Sequence, residues 1–167
     1  MKFLELLNED RTYQLKGLSF NSVHKLFIPV QFEDMINVLE GGIVNERIKV
    51  YPTLESALKK SNIVYEFMTK GKYLKEPDWD IDVGDRDNIE ATMAAKYPDS
   101  RNPMITWLLL KDKPVIFEGI ISPNDFINYY LVVDGKPKNV IKSEIISFFV
   151  NKKADVQRNR QKQMELL

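Results

Sequence analysis

The chain has 167 residues, 44% of them hydrophobic and 29% charged, with 24 basic and 24 acidic side chains, one histidine and no cysteine. That length and apolar content suffice for a packed core without a covalent staple, and the lack of cysteine removes disulfides, thiolate catalysis and thiolate metal sites. Zero net charge argues against a general nucleic-acid binder built on surplus Lys and Arg, and neither a secretory leader nor a run near the roughly 18 apolar residues of a membrane span is expected.

In chain order, residues 1–7 read as a short amphipathic helix with Phe3, Leu4 and Leu7 on one face, and residues 12–16 as a brief strand closed by Gly17. Residues 19–25 fit neither period. Residues 26–31 read as a strand that Pro29 confines to a sheet edge or strand end. Phe32, Met35, Ile36 and Leu39 have helical spacing, so 32–40 is a predicted helix stopped by Gly41 and Gly42. Residues 43–51 alternate through Val44, Glu46, Ile48 and Val50, the pattern of a half-buried strand. Thr53 is the predicted cap of a helix over 54–60, with Ser56 in the capping-box position. Residues 62–70 form a further strand through Ile63, Tyr65 and Phe67.

An acidic segment follows. Glu76, Asp78, Asp80, Asp82, Asp85, Asp87 and Glu90 are relieved only by Arg86, seven carboxylates against one base, a local charge of −6 in a neutral chain. Asp87 with Glu90 three residues on predicts a helix start there, running to about Tyr97 before Pro98. Apolar runs at 104–110 and 115–121, separated by Lys111-Asp112-Lys113-Pro114, read as a hairpin or as a helix followed by a strand. Ser122-Pro123-Asn124-Asp125 has cap, first-turn proline and first-turn acid in order, predicting a helix through Phe126, Tyr129 and Tyr130. Asp134-Gly135 marks a tight turn. From Lys142 the pattern is helical to the end, apolar at Ile145, Phe148 and Phe149 and then almost wholly polar. The expected architecture is α+β: one compact domain over 1–150 with a mixed or antiparallel sheet and flanking helices, and a projecting helical extension over 151–167.

Few groups point to chemistry. Asp78, Asp80 and Asp82 have the alternate spacing that converges on a hard cation, but Gly84 and Glu90 stand out of register for a calcium loop. They rank as metal candidates below a solvated loop and a docking surface for a basic partner. Trp79 in their midst has the character of an anchor buried on binding. Glu66 and Lys70 have the wrong spacing for the acid and lysine of a magnesium nuclease. His24 stands apart from any motif and reads as a surface or boundary residue, and no glycine pattern cradles a phosphate. The end of the chain carries Lys152, Lys153, Arg158, Arg160 and Lys162 against Asp155 and Glu165, a local charge of +3.

Tyr97, then Asn102-Pro103, three residues, Trp107 and an aliphatic run to Leu110, preceded by Ala91, Ala94 and Ala95, resembles a segment of the baseplate wedge proteins of contractile-tailed phages. The resemblance covers about twenty residues and implies a structural virion role with no catalytic residue to carry over. Eighteen Lys against six Arg, with many Asn and Ile, is the bias of AT-rich coding sequence, in keeping with a phage.

The expectation is a non-enzymatic interaction or assembly protein, a phage tail or baseplate component in the host cytoplasm or virion. It binds other protein subunits through Trp79, Asp80, Asp82, Asp85, Lys152, Lys153, Arg158 and Arg160. No catalytic residue, cofactor or membrane contact is assigned, and nucleic acid ranks below protein as a partner. The alternatives are a regulator of host nucleic-acid machinery and a metal-dependent enzyme acting on nucleic acid.

Overall fold

Seven strands form two antiparallel sheets in the computed structural model, which describes residues 23–78, 81–98 and 102–166. The helix expected over 1–7 and the strand over 12–16 lie outside the described residues. The first sheet has the order β1-β3-β6-β7, from β1 (Val23–Pro29), β3 (Ile63–Lys70), β6 (Phe126–Val133) and β7 (Lys136–Val140). The second has the order β2-β5-β4, from β2 (Ile43–Val50), β5 (Val115–Ile121) and β4 (Leu74–Lys75). Pro29 closes β1, an edge strand, where its missing N–H costs no ladder bond.

The sheets touch laterally at one point, where Phe27 and Tyr51 exchange both backbone hydrogen bonds at 2.9 and 2.8 Å. Otherwise they pack face to face. Phe67 of β3 and Phe117 of β5, both wholly buried, meet edge to face with ring centroids 5.4 Å apart, the favoured geometry for two quadrupolar rings.

Helices close the ends of this core. A 3-10 turn (Phe32–Asp34) leads into α1 (Met35–Gly41), so the expected 32–40 helix is tightened in its first turn. α1 buries Met35 and Leu39, and the Met35 carbonyl accepts from the Tyr65 hydroxyl at 2.7 Å. Burial first, then the neighbouring Tyr129, raises the Tyr65 pKa, so this phenol stays protonated as a donor. Gly42 ends α1 with φ 70° and ψ −154°, a region essentially reserved for glycine, and its N–H returns to Val38 O. α2 (Leu54–Leu58), shorter than the 54–60 expected, is capped by Thr53 and covers the back of the first sheet over Val64, Phe27 and Tyr130. α3 (Val83–Lys96) and α4 (Pro103–Leu110) pair, and α4 sends Ile105, Leu108 and Leu109 into the core. α5 (Lys142–Glu165) docks on α1 and β6 through its first turns: Ile145 is fully buried, and Phe149 stacks at 5.1 Å on Phe32.

Three expectations are corrected. Ser122 and Asp125 make their local bond, Ser122 N–H to Asp125 Oδ2 at 2.9 Å, but the helix stops as one 3-10 turn (Pro123–Asp125). The β-branched and aromatic run that follows becomes β6, pinned between β3 and β7, because tertiary pairing outweighs a capping signal. In β2 a bulge between Val44 and Glu46 breaks the alternation, so Val44 faces solvent opposite Ile120 while Ile43, Ile48 and Val50 turn inward. α3 begins at Val83, four residues before Asp87, as described below. Asp134 and Gly135, with φ 53° and 77°, form the expected two-residue turn between β6 and β7. Among the described residues no helix is long and apolar enough to cross a membrane.

Candidate functional site

The acidic segment is partly folded into α3. Asp82, not Asp87, is the cap: its Oδ1 accepts from Gly84 N–H at 2.8 Å, satisfying a donor that the first helical turn leaves open. Its earlier position wins because Asp82 precedes the helix in non-helical backbone, whereas Glu90 is spent on Arg86 one turn back at 3.2 Å. Arg86 also takes both oxygens of Glu76, at 2.7 and 2.8 Å, tying the strand-to-helix connection to α3. The hydrogen bond to Glu76 is the main cause of a raised Arg86 pKa. Three of the eight charges are thus mutually paired, and Asp78, Asp85 and Asp87 stand exposed. Trp79 and Asp80 lie outside the described residues. Among the described residues no three His, Cys, Asp or Glu side chains gather closely enough to hold a metal ion.

The basic residues lie on the far half of α5. Lys152, Lys153, Arg158 and Arg160 are all exposed, and Arg158 bonds Asp155 at 2.6 Å within the helix. Lys152 and Lys153 reach back over the rings of Phe148 and Phe149, at 5.3 and 5.6 Å, where a cation over a ring face gains modestly. From residue 151 onward every side chain of α5 is exposed except the half-buried Ala154. Met164 and Leu166 expose 72% and 87% of their surface. Among the described residues, Asp82 and Asp85 lie at the start of α3 and Lys152, Lys153, Arg158 and Arg160 on α5, so the acidic and basic candidates stand on different helices.

Sequence reasoning missed three features. The first is a groove of about 490 Å³ between α3 and α4, floored by Met93, Tyr97, Trp107 and Leu110 and rimmed by Lys96 and Lys111. Its signal was the pair of helical stripes Ile89/Met93/Lys96 and Trp107/Leu110, which only tertiary pairing brings face to face. The second is a cavity of about 580 Å³ where β1 and β2 splay beyond the Phe27–Tyr51 bridge, against α1. Its polar lining is Gln31, Asp34, Asn37 and Lys49, a single carboxylate with no histidine and no hydroxyl. That set lacks a nucleophile and its base.

The third is a set of polar side chains, Glu66 and Ser56 among them buried, that act as fasteners. Glu66, 8% exposed on the back of the first sheet, accepts from Asn128 Nδ2 at 2.7 Å and from the Tyr130 hydroxyl at 3.4 Å. Asn139 Nδ2 donates in turn to Asn128 Oδ1 at 3.1 Å, so the chain of bonds links β3, β6 and β7. Burial, followed by Glu66, raises the Tyr130 pKa and keeps its proton in that bond. Asp112, at φ 56° where α4 ends, accepts through Oδ1 from the hydroxyls of Thr53 at 2.8 Å and Ser56 at 3.0 Å. This clamps α2 to the turn before β5.

His24 corrects the sequence reading: it is 5% exposed, on the core side of β1 opposite Thr69. Burial lowers its pKa from 6.5 to about 4, so the ring is neutral, and its Nε2 has no hydrogen-bond partner among the described residues. Alternation with Leu26 and Ile28 was the signal that places it inward.

Comparison with protein-family models, with curated proteins and with solved structures returns no match to this chain.

Proposed function

We propose that this protein is a non-enzymatic assembly component that docks other protein subunits through the projecting half of α5. In line with the Tyr97, Asn102-Pro103 and Trp107 resemblance, it serves as a structural part of a phage tail or baseplate. One observation carries the reading: α5 runs sixteen residues past Phe149, with every one of those residues exposed except the half-buried Ala154. A helical stretch of that length gains little stability in water from its own hydrogen bonds, and a helix that is polar all round draws its order from a bridging role or a partner.

A chain ending at Val150 tests the reading. The core keeps Ile145, Phe148 and Phe149, so the melting temperature is expected to stay within about 2 °C of the full chain, a shift worth at most about 1 kcal/mol for a protein of this size. Co-assembly with tail or baseplate subunits in the native source is expected to be lost. A truncated chain that still enters the same particles would overturn the assignment of α5 as the docking element.

A further inference from the structure

We propose that the open edge of β2 takes up an extended, acidic segment of a partner protein as an added strand, with the segment's apolar side chains seated over the cavity between β1, β2 and α1. This site is separate from α5 and goes beyond the assembly reading above.

The opening follows from one residue. Phe27 of β1 and Tyr51, just past β2, exchange both backbone hydrogen bonds. In an antiparallel ladder the next pair to do so lies two residues further along each strand, and here that pair is Pro29 with Lys49. Pro29 has no N–H to give. The rung is therefore missing, the two strands splay, and the cavity of about 580 Å³ opens beside them.

The same alternation decides which backbone groups are left over. Tyr51 faces β1, so Val50 and Ile48 turn their N–H and C=O groups to β5, while Lys49 and Arg47 turn theirs to the opening. Among the described residues neither has a backbone partner on that side. Each offers one donor and one acceptor, a template that another extended backbone matches. The other sheet edges are blunted. β7 carries exposed Lys136, Pro137 and Lys138, β4 has two residues, and β1 ends at its proline, whereas β2 runs eight residues without one.

Side chains define the occupant. Residues that exchange hydrogen bonds across an antiparallel pair carry their side chains on the same face. Arg47 and Lys49 are exposed on the outer face, so the residues opposite them are favoured as acids. Lys49 has no ion pair among the described residues, and Arg47 has only a loose one to Glu118 at 3.9 Å, with both side chains more than half exposed. The intervening residues of the added strand face the cavity, whose floor is Ile28, Val30, Val38 and Ile48, and are favoured as apolar. A second copy of β2 laid antiparallel on this edge would set Arg47 and Lys49 against the same two cations, which like-charge repulsion disfavours. The partner is thus a different chain, acidic and apolar by turns. One added strand is a small interface, below about 1,200 Å² in total, so binding is weak and reversible.

The test titrates the full chain with a capped peptide of alternating valine and glutamate, read by amide chemical shifts and amide exchange. Saturable binding is expected, with slowed exchange at the Arg47 and Lys49 amides. Glutamate residues lie opposite Arg47 and Lys49 and valines face the cavity, so the glutamate amides are the ones that bond β2. N-methylation of the glutamates is expected to abolish binding, and N-methylation of the valines to spare it. A valine and lysine peptide is expected to bind at least about fivefold more weakly, and Lys49→Glu to weaken the valine and glutamate peptide by up to about fivefold with an unchanged melting temperature. No saturable binding, equal sensitivity to the two methylation patterns, unchanged exchange at Arg47 and Lys49, or indifference to the sign of the peptide's charge would each overturn strand addition at this edge. Any of these results leaves the α5 reading standing, since truncation at Val150 tests that reading by itself.

Discussion

The two halves of α5 belong to different worlds: the first is held by Ile145, Phe148 and Phe149 against α1 and β6, while the second, from residue 151, is exposed along nearly its whole length. The same contrast divides the molecule. In the sandwich, aromatic pairs such as Phe67 with Phe117 and Tyr65 with Tyr129 are locked edge to face, and buried polar groups are tied into bonds that join strands. On α3 and the outer half of α5, charge is spread over exposed helix faces that stabilise little within the chain. Changes in the first region are therefore expected to register as stability, and changes in the second, on the proposed reading, as association.

The largest effect falls where backbone meets backbone. A Cβ on Gly42 would stand 1.9 Å from the Ile121 carbonyl oxygen, in a conformation that side chains avoid. Gly42→Ala is expected to cost more than about 3 kcal/mol, strain and displacement of β5 together. Gly41, one residue earlier, has open space around it, so Gly41→Ala is expected to be neutral or stabilising by up to about 1 kcal/mol. Urea midpoints of the two variants check the contrast; equal losses would break it.

The next effect is carried by His24. The unfolded chain takes up a proton below its ordinary pKa of 6.5, whereas the buried ring resists until about 4. The folded state thus binds fewer protons in that window, and stability is full above pH 6.5 and falls as the pH drops toward 4, by at most about 3 kcal/mol. His24→Gln is expected to flatten this part of the profile in urea titrations at pH 7 and pH 4.5. An equal pH response in wild type and variant would remove His24 from the core as a titrating group. At the small end, loss of the outer half of α5 leaves stability nearly untouched.

Much of this division was written in the sequence. Period-two runs such as Ile63, Tyr65 and Phe67 give β3, and the polar tract after Phe149 gives a helix that leaves the core, because both are set by local periodicity. What local pattern does not encode is competition. Ser122 to Asp125 carries a sound helix start, overruled by two flanking strands; Asp87 has a capping partner, pre-empted by Asp82; and the β2 bulge reverses Val44 without any glycine or proline to mark it. The groove was hidden for another reason. Its walls come from two helices, and neither stripe identifies its counterpart until α3 and α4 pair. The charged tracts were visible at once, but their placement on separate helices is a property of the fold.

The most direct measurement is hydrogen exchange along α5 in a dilute solution of single chains. Amides around Ile145 and Phe149 are expected to be protected to near the global level, while those of residues 158–163 exchange close to the unfolded rate and slow only on assembly, because their side chains are all exposed. Equally strong protection of residues 158–163 in the dilute monomer would contradict the claim that the outer half of α5 exists for a partner.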